Sequence, residues 1–314
     1  MKEAQSTATV LMIRPVRFIG NPETRESNRF QNTAASVDPV HVQQASLAEF
    51  KALASALRAA GVNVIEVEDT PIPHTPDSIF PNNWVSFHVD GTAVLYPMLA
   101  ENRRAERRTD ILEALSSRHG FRIQRVIDLT HYERDGKALE GTGSLVLDRI
   151  NRIAYACVSP RTDIEVLGDF AQQLDYELVV FEANDRTGSA IYHTNVLMCV
   201  GAKFAAICIE CIREDERAGV LKSLQDTGHE IVALSFDQME QFAGNMLEVR
   251  SKEGQVLLAM SQSAAKVLSD PQRTTLERLS GRIISVPIGT IEQQGGGSVR
   301  CMLAEVHLPF RSRM

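Results

Sequence analysis

Short apolar runs, each opened by a small polar residue, recur five times along the 314-residue chain. Successive copies are 50 to 61 residues apart, and they begin at Asn83, Ser144, Asn195, Asn245 and Ser298. A period of this length is typical of repeat architectures, in which one supersecondary unit cannot bury its apolar face without its neighbours. The pattern therefore predicts five structural repeats.

Within one repeat, two strand-like runs are joined by a turn and followed by a helix and a further strand. In the first copy the run from Trp84 to Val89 turns at Asp90-Gly91, a strong hairpin signal, and returns to Tyr96. The helical patterns cover 101–119, 163–174, 213–225 and 262–279, and the outer strands lie around 126–127, 178–181, 231–234 and 283–286.

The fifth copy is incomplete, because the chain ends soon after Cys301. Its missing strand, helix and outer strand are found at the N-terminus, at 10–13, 47–57 and 62–67. A repeat split between the termini closes a ring and removes exposed sheet edges. We therefore expect an α/β fold with pseudo-five-fold symmetry, residues 1–314 forming one domain. The strand around Leu11 should pair with the strand from Cys301 to Val306.

Composition excludes several classes of partner. A net charge of −7 gives no electrostatic reason to expect binding to nucleic acid or to an anionic membrane. No stretch approaches the roughly 20 apolar residues of a membrane span. Five scattered cysteines, an odd number, favour a reducing cytoplasm over a disulfide framework. The polar stretch 17–41 is a long loop of a kind that is usually functional or disordered.

Glu140, His193 and Cys301 each lie within four residues of a repeat opening. Cys301 follows the glycine run 295–297, and glycines permit the close backbone approach that suits a loop presenting a nucleophile. Taken singly, each has an ordinary explanation: a buried cysteine, a packed histidine and a solvated carboxylate. An acid, a base and a thiol at equivalent repeat positions together indicate one shared site.

Five motifs, in order along the chain, resemble those of one superfamily. They are Asp77-x-x-Phe80-x-x-Asn83, Glu140-Gly141-x-Gly143-Ser144, Ser159-x-Arg161-Thr162, His193-x-Asn195 and Gly295-Gly296-Gly297-Ser298-x-x-Cys301. The set resembles the guanidine-modifying (pentein) superfamily, which includes arginine deiminases, dimethylarginine hydrolases, agmatine deiminases and amidinotransferases. The opening stretch, with Ile13-Arg14-Pro15 and Asn21-Pro22-Glu23-Thr24, looks like the citrulline-utilisation hydrolases. The resemblance implies a five-bladed β/α propeller, in agreement with the ring.

The resemblance also implies roles for the three reactive residues. Cys301 is then the nucleophile, His193 the general acid and base, and Glu140 the carboxylate that orients the histidine and favours its imidazolium form. The thiolate would attack the planar carbon of a guanidino or ureido group in a small amino acid. We expect neither a metal nor a cofactor. The motif Cys208-x-x-Cys211 lacks a second pair and is interpreted as two buried cysteines.

Guanidinium-binding relatives commonly hold the cationic head with two aspartates, where this chain has Asn83 and Asn195. A cation against neutral amides would lose two charge-assisted hydrogen bonds, each worth roughly 1.5–3 kcal/mol. A neutral ureido group fits better, since an amide can donate to its oxygen and accept from its nitrogens. These residues favour citrulline, hydrolysed to ornithine, carbon dioxide and ammonia. Asp77, which remains anionic, keeps a guanidinium substrate open.

The remaining substrate-binding candidates come from the same motifs. Phe80 belongs to the first motif, and Arg161 resembles the residue that pairs with the substrate α-carboxylate, for which a guanidinium is well shaped. Arg103 or Arg104 resembles a further family motif. The segment 101–108 can equally be interpreted as a solvated helix with ion pairs three and four residues apart.

Several alternatives stay open at this stage. Within the hydrolases, an arginine deiminase or a dimethylarginine hydrolase would use the same nucleophile. An amidinotransferase shares the triad but passes the carbon unit to an amine, and a non-catalytic propeller would only bind. The sequence also leaves a homo-oligomer open.

Overall fold

The computed structural model describes residues 3–25, 27–31 and 38–311. Within them the strands form five sheets of three strands each. The strands are β1 (Thr9–Arg14), β2 (Asn63–Glu68), β3 (Val85–Phe87), β4 (Thr92–Leu95), β5 (Arg125–Asp128), β6 (Val146–Asp148), β7 (Ile153–Cys157), β8 (Glu177–Phe181), β9 (Met198–Val200), β10 (Phe204–Ile207), β11 (Glu230–Ala233), β12 (Leu247–Arg250), β13 (Val256–Ser261), β14 (Arg282–Val286) and β15 (Ala304–Glu305).

Helices connect these strands and lead into the sheets. They are α1 (Pro39–Ala59), α2 (Thr109–Ser117), α3 (Gly141–Ser144), α4 (Ile164–Leu174), α5 (Thr194–Leu197), α6 (Glu214–Asp226), α7 (Phe236–Glu240), α8 (Gln262–Val267), α9 (Asp270–Ser280) and α10 (Gly289–Gly295). Short 3₁₀ turns cover Pro81–Asn83, Glu101–Glu106, Thr130–Asp135, Ile209–Cys211 and Val299–Met302.

Each sheet repeats one topology. The sheet orders are β3-β4-β5, β6-β7-β8, β9-β10-β11, β12-β13-β14 and β15-β1-β2. The inner strand pairs antiparallel with the middle strand, and the middle strand pairs parallel with the outer one. A parallel pair needs a crossover connection, and the helices between the middle and outer strands supply it.

The termini meet in one sheet. Val10 pairs with Glu305 and Leu11 with Ala304, in antiparallel register. The predicted pairing between the N-terminal strand and the strand after Cys301 is therefore confirmed. The fold is the expected five-bladed β/α propeller with pseudo-five-fold symmetry. That residues 1–314 form one domain stays a prediction.

The apolar core lies between neighbouring sheets. Leu11 of β1 packs in one cluster with Trp84 and Phe87, and Val94 of β4 packs in another with Leu147 of β6. Burial of this kind contributes roughly 25 cal/mol per Å² of apolar surface. One repeat alone would leave such surfaces in water, which accounts for the periodic sequence.

Two predicted helices are broken in the structure. The pattern 101–119 consists of the 3₁₀ turn Glu101–Glu106 followed by α2. The pattern 262–279 consists of α8 and α9, because Ser269 begins a new helix with a capping box. A reciprocal cap satisfies backbone donors that a continuous helix would have paired internally.

The repeat openings also differ from the prediction. Asn195, expected to open a strand, lies in α5, and Cys301 lies in the turn Val299–Met302. A helical turn of three or four residues is too short to show a period, so a short apolar run cannot distinguish it from a strand. Among the described residues, every helix is too short or too polar to cross a membrane. The cytoplasmic location stays a prediction.

Candidate active site

The helical turns that open the repeats meet one another around a narrow pocket. The turn Pro81–Asn83 contacts α3 and the turn Val299–Met302, and α3 contacts α5. The cavity among them has a volume of about 10 Å³. The pocket is lined by Asn28, Asp77, Phe80, Asn83, Arg103, Arg161, Tyr192, His193, Gly295, Gly296, Gly297 and Cys301.

Seven of the nine residues singled out from the sequence line this pocket. The other two, Glu140 and Asn195, contact lining residues. A wider cavity of about 450 Å³ lies beside Phe30 and Phe242, and none of the nine residues lines it. The narrow pocket is therefore the candidate active site, because the reactive groups converge there.

Glu140 holds one ring nitrogen of His193. The His193 Nε2 to Glu140 Oε2 distance is 2.8 Å, and both side chains are buried. An ionised carboxylate can only accept, so Nε2 carries the proton and Nδ1 is left without one. A Cβ on Gly143 would lie 2.8 Å from Nδ1. Only glycine lets the backbone pass this close to the ring.

Burial and neighbouring charges decide the ionisation of this pair. Burial opposes ionisation of Glu140, but Arg161, His193 and Arg103 together hold its pKa well below the usual range. Burial lowers the pKa of His193 to about 4, and Glu140 offsets this only in part. Glu140 favours the imidazolium form, as expected, but burial outweighs it in the free protein. A pKa of about 4 leaves the histidine neutral near pH 7, because burial disfavours the charged ring and Arg161 and Arg103 repel it.

Arg103 is buried beside the pocket and does not belong to a solvated helix. Its Nε and Nη2 donate to Glu106, each at 2.9 Å, and Nη2 also donates to Asn83 Oδ1 at 3.1 Å. Arg104 is one-third exposed and pairs with Glu133 at 3.4 Å. Of the two candidate arginines, the structure brings Arg103 to the pocket. Interpreting Glu106 as a solvated residue is likewise wrong, since its side chain is buried.

Asn83 and Asp77 present unpaired polar atoms at the pocket. Arg103 can only donate, so the Asn83 oxygen must face it, and this fixes the amide orientation. Asn83 Nδ2 then has no partner among the described residues. Asp77 Oδ2 accepts from Asn21 Nδ2 at 2.7 Å, whereas Oδ1 has no partner within the same residues. The pair therefore offers one donor and one acceptor.

Cys301 is buried, and two amides face its sulfur. Asn245 Nδ2 lies 3.3 Å from Sγ and Asn195 Nδ2 lies 3.5 Å from it. Asn195 was expected at the substrate head group. Within the described residues it does not line the pocket but lies against Cys301. A replacement at Asn195 should therefore change the reactivity of the Cys301 sulfur more than the binding of the substrate head group.

The glycine run fits between the Phe80 ring and Cys301. A Cβ on Gly297 would meet the ring at 3.0 Å and the Cys301 Cβ at 3.3 Å. Gly296 has φ +63°, in the region that favours glycine. Its carbonyl accepts a hydrogen bond from the Tyr192 hydroxyl at 2.5 Å. The run therefore holds the nucleophile candidate close against an aromatic wall.

Part of the polar stretch 17–41 covers Arg161. Ser27 Oγ accepts from Arg161 Nη2 at 2.7 Å, and the Thr24 carbonyl accepts at 3.3 Å. Asn28 Nδ2 donates to the Gly295 carbonyl at 3.2 Å. Residues 26 and 32–37 lie outside the described residues, and α1 begins at Pro39. The sequence predicted that this stretch is either functional or disordered. The position of its described residues at the pocket is consistent with a functional loop.

Sequence reasoning missed Asn245 and Tyr192 as site residues. Asn245 opens the fourth repeat, so the equivalence with Asn83 and Asn195 was a usable signal. Tyr192 supports the Arg161 guanidinium, 4.9 Å from its ring centre. Nothing in the sequence separates such a ring from an ordinary core aromatic.

A cluster of side chains that could bind a metal ion is absent from the described part of the chain. No three His, Cys, Asp or Glu side chains there are grouped to hold an ion. Cys208 and Cys211 are free and buried, as interpreted from the sequence.

Comparison with family models matches residues 14–308 to the family described as N,N dimethylarginine dimethylhydrolase, eukaryotic. Comparison with curated proteins finds no match. Among solved structures, apo ArgZ, an arginine dihydrolase from the ornithine-ammonia cycle in cyanobacteria, gives a TM-score of 0.73 at 18% identity, covering 97% of this chain and 41% of that chain. The chain thus spans about two fifths of that protein's length.

Two further solved structures are similar. Unliganded AgrE gives a TM-score of 0.74 at 17% identity, covering 97% of this chain and 40% of that chain. DDAH from Pseudomonas aeruginosa, a cysteine-to-serine mutant complexed with citrulline, gives 0.64 at 16% identity, with coverages of 96% and 99%. At these identities the structures show the fold, and the family model shows the family. The chain belongs to the N,N dimethylarginine dimethylhydrolase family, a family of hydrolases that act on carbon–nitrogen bonds within the pentein guanidine-modifying superfamily.

Proposed function

We propose that the protein hydrolyses the ureido group of citrulline to ornithine, carbon dioxide and ammonia. The observation that carries this proposal is the pair of free atoms in the pocket, a donor on Asn83 and an acceptor on Asp77. A ureido group has an oxygen that accepts and nitrogens that donate, so it satisfies both. A guanidinium only donates and would set its N–H groups against the Asn83 amide hydrogens.

Cys301 is the proposed nucleophile, and His193 handles its proton. The neutral imidazole takes the thiol proton on Nδ1, and the thiolate attacks the ureido carbon to give a tetrahedral adduct. The carbonyl electron pair moves onto oxygen, where the Asn83 amide stabilises the growing charge. The bond to the δ-nitrogen of ornithine then breaks. That nitrogen receives the proton from His193, and a carbamoyl thioester stays on Cys301.

Water completes the reaction. His193 Nδ1 takes a proton from water as the oxygen attacks the thioester carbon, and the thiolate is released. The carbamate product decomposes to carbon dioxide and ammonia. Glu140 accepts the Nε2 hydrogen at 2.8 Å and therefore favours the imidazolium stages of both steps.

Arg161 is the proposed partner of the substrate α-carboxylate. Its guanidinium is buried at the pocket. Its Nη1 bonds Glu140, and its Nη2 is now paired with Ser27 Oγ and the Thr24 carbonyl. A carboxylate forms stronger, bidentate bonds to a guanidinium than a hydroxyl or a carbonyl does. Binding of the amino acid would therefore displace Thr24 and Ser27 from Arg161, which opens the narrow pocket.

Arginine is the second candidate substrate, and Asp77 favours it. Its buried carboxylate has one oxygen available to a guanidinium N–H, and ArgZ, which is similar in structure, is an arginine dihydrolase. The same nucleophile would first release ammonia from arginine to give citrulline. Citrulline and arginine would share the attack on a ureido group when arginine is converted through citrulline to ornithine. They differ in whether the pocket must accept a cationic head group.

The test is an amino-acid assay of the purified protein with citrulline, arginine and dimethylarginine, using Cys301→Ser as the blank. Ornithine and ammonia formed fastest from citrulline support the proposal. Faster turnover of arginine, ending at citrulline or ornithine, replaces it with the second candidate. Release of dimethylamine identifies a dimethylarginine hydrolase. No product from any of the three overturns the proposed function.

A further inference from the structure

Two buried asparagines, at the openings of the third and fourth repeats, face the sulfur of Cys301. Asn245 Nδ2 lies 3.3 Å from Sγ, and Asn195 Nδ2 lies 3.5 Å from it. An amide can turn either its nitrogen or its oxygen toward a neighbour, so the orientation of each side chain decides its effect on the sulfur.

Two backbone groups fix the orientation of Asn245. Its Oδ1 accepts from the Arg300 N–H at 3.0 Å, and its Nδ2 donates to the Asn195 carbonyl at 2.9 Å. A backbone N–H can only donate and a carbonyl can only accept, so the amide cannot be flipped. One Nδ2 hydrogen is used by the carbonyl, and the other is left for the sulfur of Cys301.

The Asn195 amide is fixed in the same way. Its Nδ2 donates to the Thr142 carbonyl at 3.3 Å and reaches Cys301 Sγ at 3.5 Å. Because Thr142 offers an oxygen that only accepts, the nitrogen must be on the side of the carbonyl and the sulfur. Both side chains are buried, so water does not compete for these hydrogens.

We propose that Asn195 and Asn245 form an amide pair that stabilises the thiolate of Cys301 and aims it at the substrate carbon. The amide nitrogens lie nearer to Sγ than the amide oxygens, which are 3.7 Å away in Asn245 and 3.9 Å away in Asn195. A sulfur anion accepts hydrogen bonds well and a neutral thiol accepts them weakly, so the two nearer donors favour the anion. The inference rests on the proposed function and deepens it. It explains how the thiolate is stabilised once His193 has taken the thiol proton.

Other charged or titratable groups share the pocket with Cys301. They are Asp77, Arg103, Arg161, Tyr192 and His193. Substitution within the amide pair leaves all five in place. A comparison of variants therefore isolates the contribution of the two amides.

The test is the pH dependence of Cys301 alkylation by iodoacetamide in the free protein, followed by peptide mass spectrometry. Asn245→Leu removes the donor without adding a charge. Asn245→Asp keeps the side-chain shape and the acceptor for the Arg300 N–H, but it replaces the donor by an oxygen and adds a negative charge beside the sulfur. Loss of a hydrogen bond to a charged group should slow alkylation at pH 7 by about tenfold to a hundredfold. The midpoint of the profile should move to higher pH, and Asn195→Asp should change it in the same direction.

Asn63→Asp is the matched control. The half-buried Asn63 side chain on β2 bonds Thr9 on the neighbouring strand β1 and does not line the pocket. The control should leave the profile unchanged. If Asn245→Asp does not fold, as judged by circular dichroism, Asn195→Asp supplies the same test at the second donor. A purely structural role would lower the melting temperature without moving the profile, and that result would overturn the inference.

Failure of the inference is distinguishable from failure of the proposed function, because the alkylation assay contains no substrate. Shifted profiles with no turnover of any amino acid would leave the amide pair standing and remove the substrate assignment. Unshifted alkylation profiles in a protein that hydrolyses citrulline would overturn the amide pair and leave the substrate assignment standing.

Discussion

The two sides of the pocket hold their reactive groups by different means. Around His193 the partners are ionic, since buried Glu140 binds the imidazole and two buried arginines. Around Cys301 the partners are the neutral amides of Asn195 and Asn245. The ionic side fixes one ring nitrogen and, in the proposed mechanism, leaves the other to move protons. The neutral side supplies donors without an ion pair that attack by the sulfur would have to break.

The largest expected effect comes from removing the sulfur itself. Cys301→Ser should lower kcat by about 10⁴-fold or more, because a hydroxyl is a far weaker nucleophile than a thiolate near pH 7. The fold should stay intact, since the oxygen occupies less volume in the same place. Steady-state kinetics and circular dichroism check this. Turnover near the wild-type rate would contradict the role given to Cys301.

Removing the charge from the ionic side should have the next largest effect. Glu140→Gln leaves Arg103 and Arg161 without the carboxylate that they share with His193, and the free energy of unfolding should fall by about 3 kcal/mol. The kcat should fall by about 10³-fold, because the imidazolium stages lose their anionic partner. Urea unfolding and steady-state kinetics measure the two effects.

Glu106→Gln is the control for this change. Glu106 also pairs with Arg103 in the buried network, but it does not bond His193. It should therefore lower stability with a much smaller loss of kcat. Equal losses of kcat in both variants would show that the ionic network acts only as structure.

Substitutions at Asn83 and Asn195 should distinguish the residue proposed to contact the substrate head group from the residue that contacts the sulfur of Cys301. Asn83→Asp adds an anion beside Asp77, so the selectivity for arginine over citrulline should rise by about tenfold. Asn195→Asp should lower kcat/KM for both substrates by a similar factor, since it contacts the sulfur. Competition assays with both amino acids measure the ratio. A selectivity change at Asn195 as large as at Asn83 would undo the distinction.

The smallest expected effect is that the His193 ring does not titrate in the range where an ordinary histidine does. Because the pKa of His193 is lowered to about 4, its imidazole should stay neutral from about pH 7 down to pH 5, where an ordinary histidine becomes protonated. Protonation, and the loss of the base, should come only below that range. Nitrogen-15 chemical shifts of the His193 ring in the free protein measure this. A titration midpoint near 6.5 would contradict the effect of burial.

Much of the fold was accessible from local patterns. Hairpin turns, helical periodicity and a fixed spacing between repeats are properties of neighbouring residues, and the split repeat follows from counting them. The break before α9 was missed because Ser269 lies inside an otherwise periodic run. The turns around Asn195 and Cys301 were missed because they are too short to show a period.

The residues of the site were largely predictable, whereas their contacts were not. Motifs selected Asp77, Arg161 and others that line one pocket. The contact of Asn195 with Cys301 depends on packing between α5 and a turn over 100 residues away in the chain. The charge of His193 depends on burial and on arginines from two other segments. No spacing in the sequence encodes either of these.

The central claim is that a ureido substrate carbamoylates Cys301. The most direct measurement is rapid acid quenching of the protein during turnover of citrulline, followed by peptide mass spectrometry. The account predicts one carbamoyl group on the peptide that contains Cys301, with ornithine released at the same rate, and no such adduct in Cys301→Ser. Ornithine formation with an unmodified Cys301, or with the group on another residue, would contradict it.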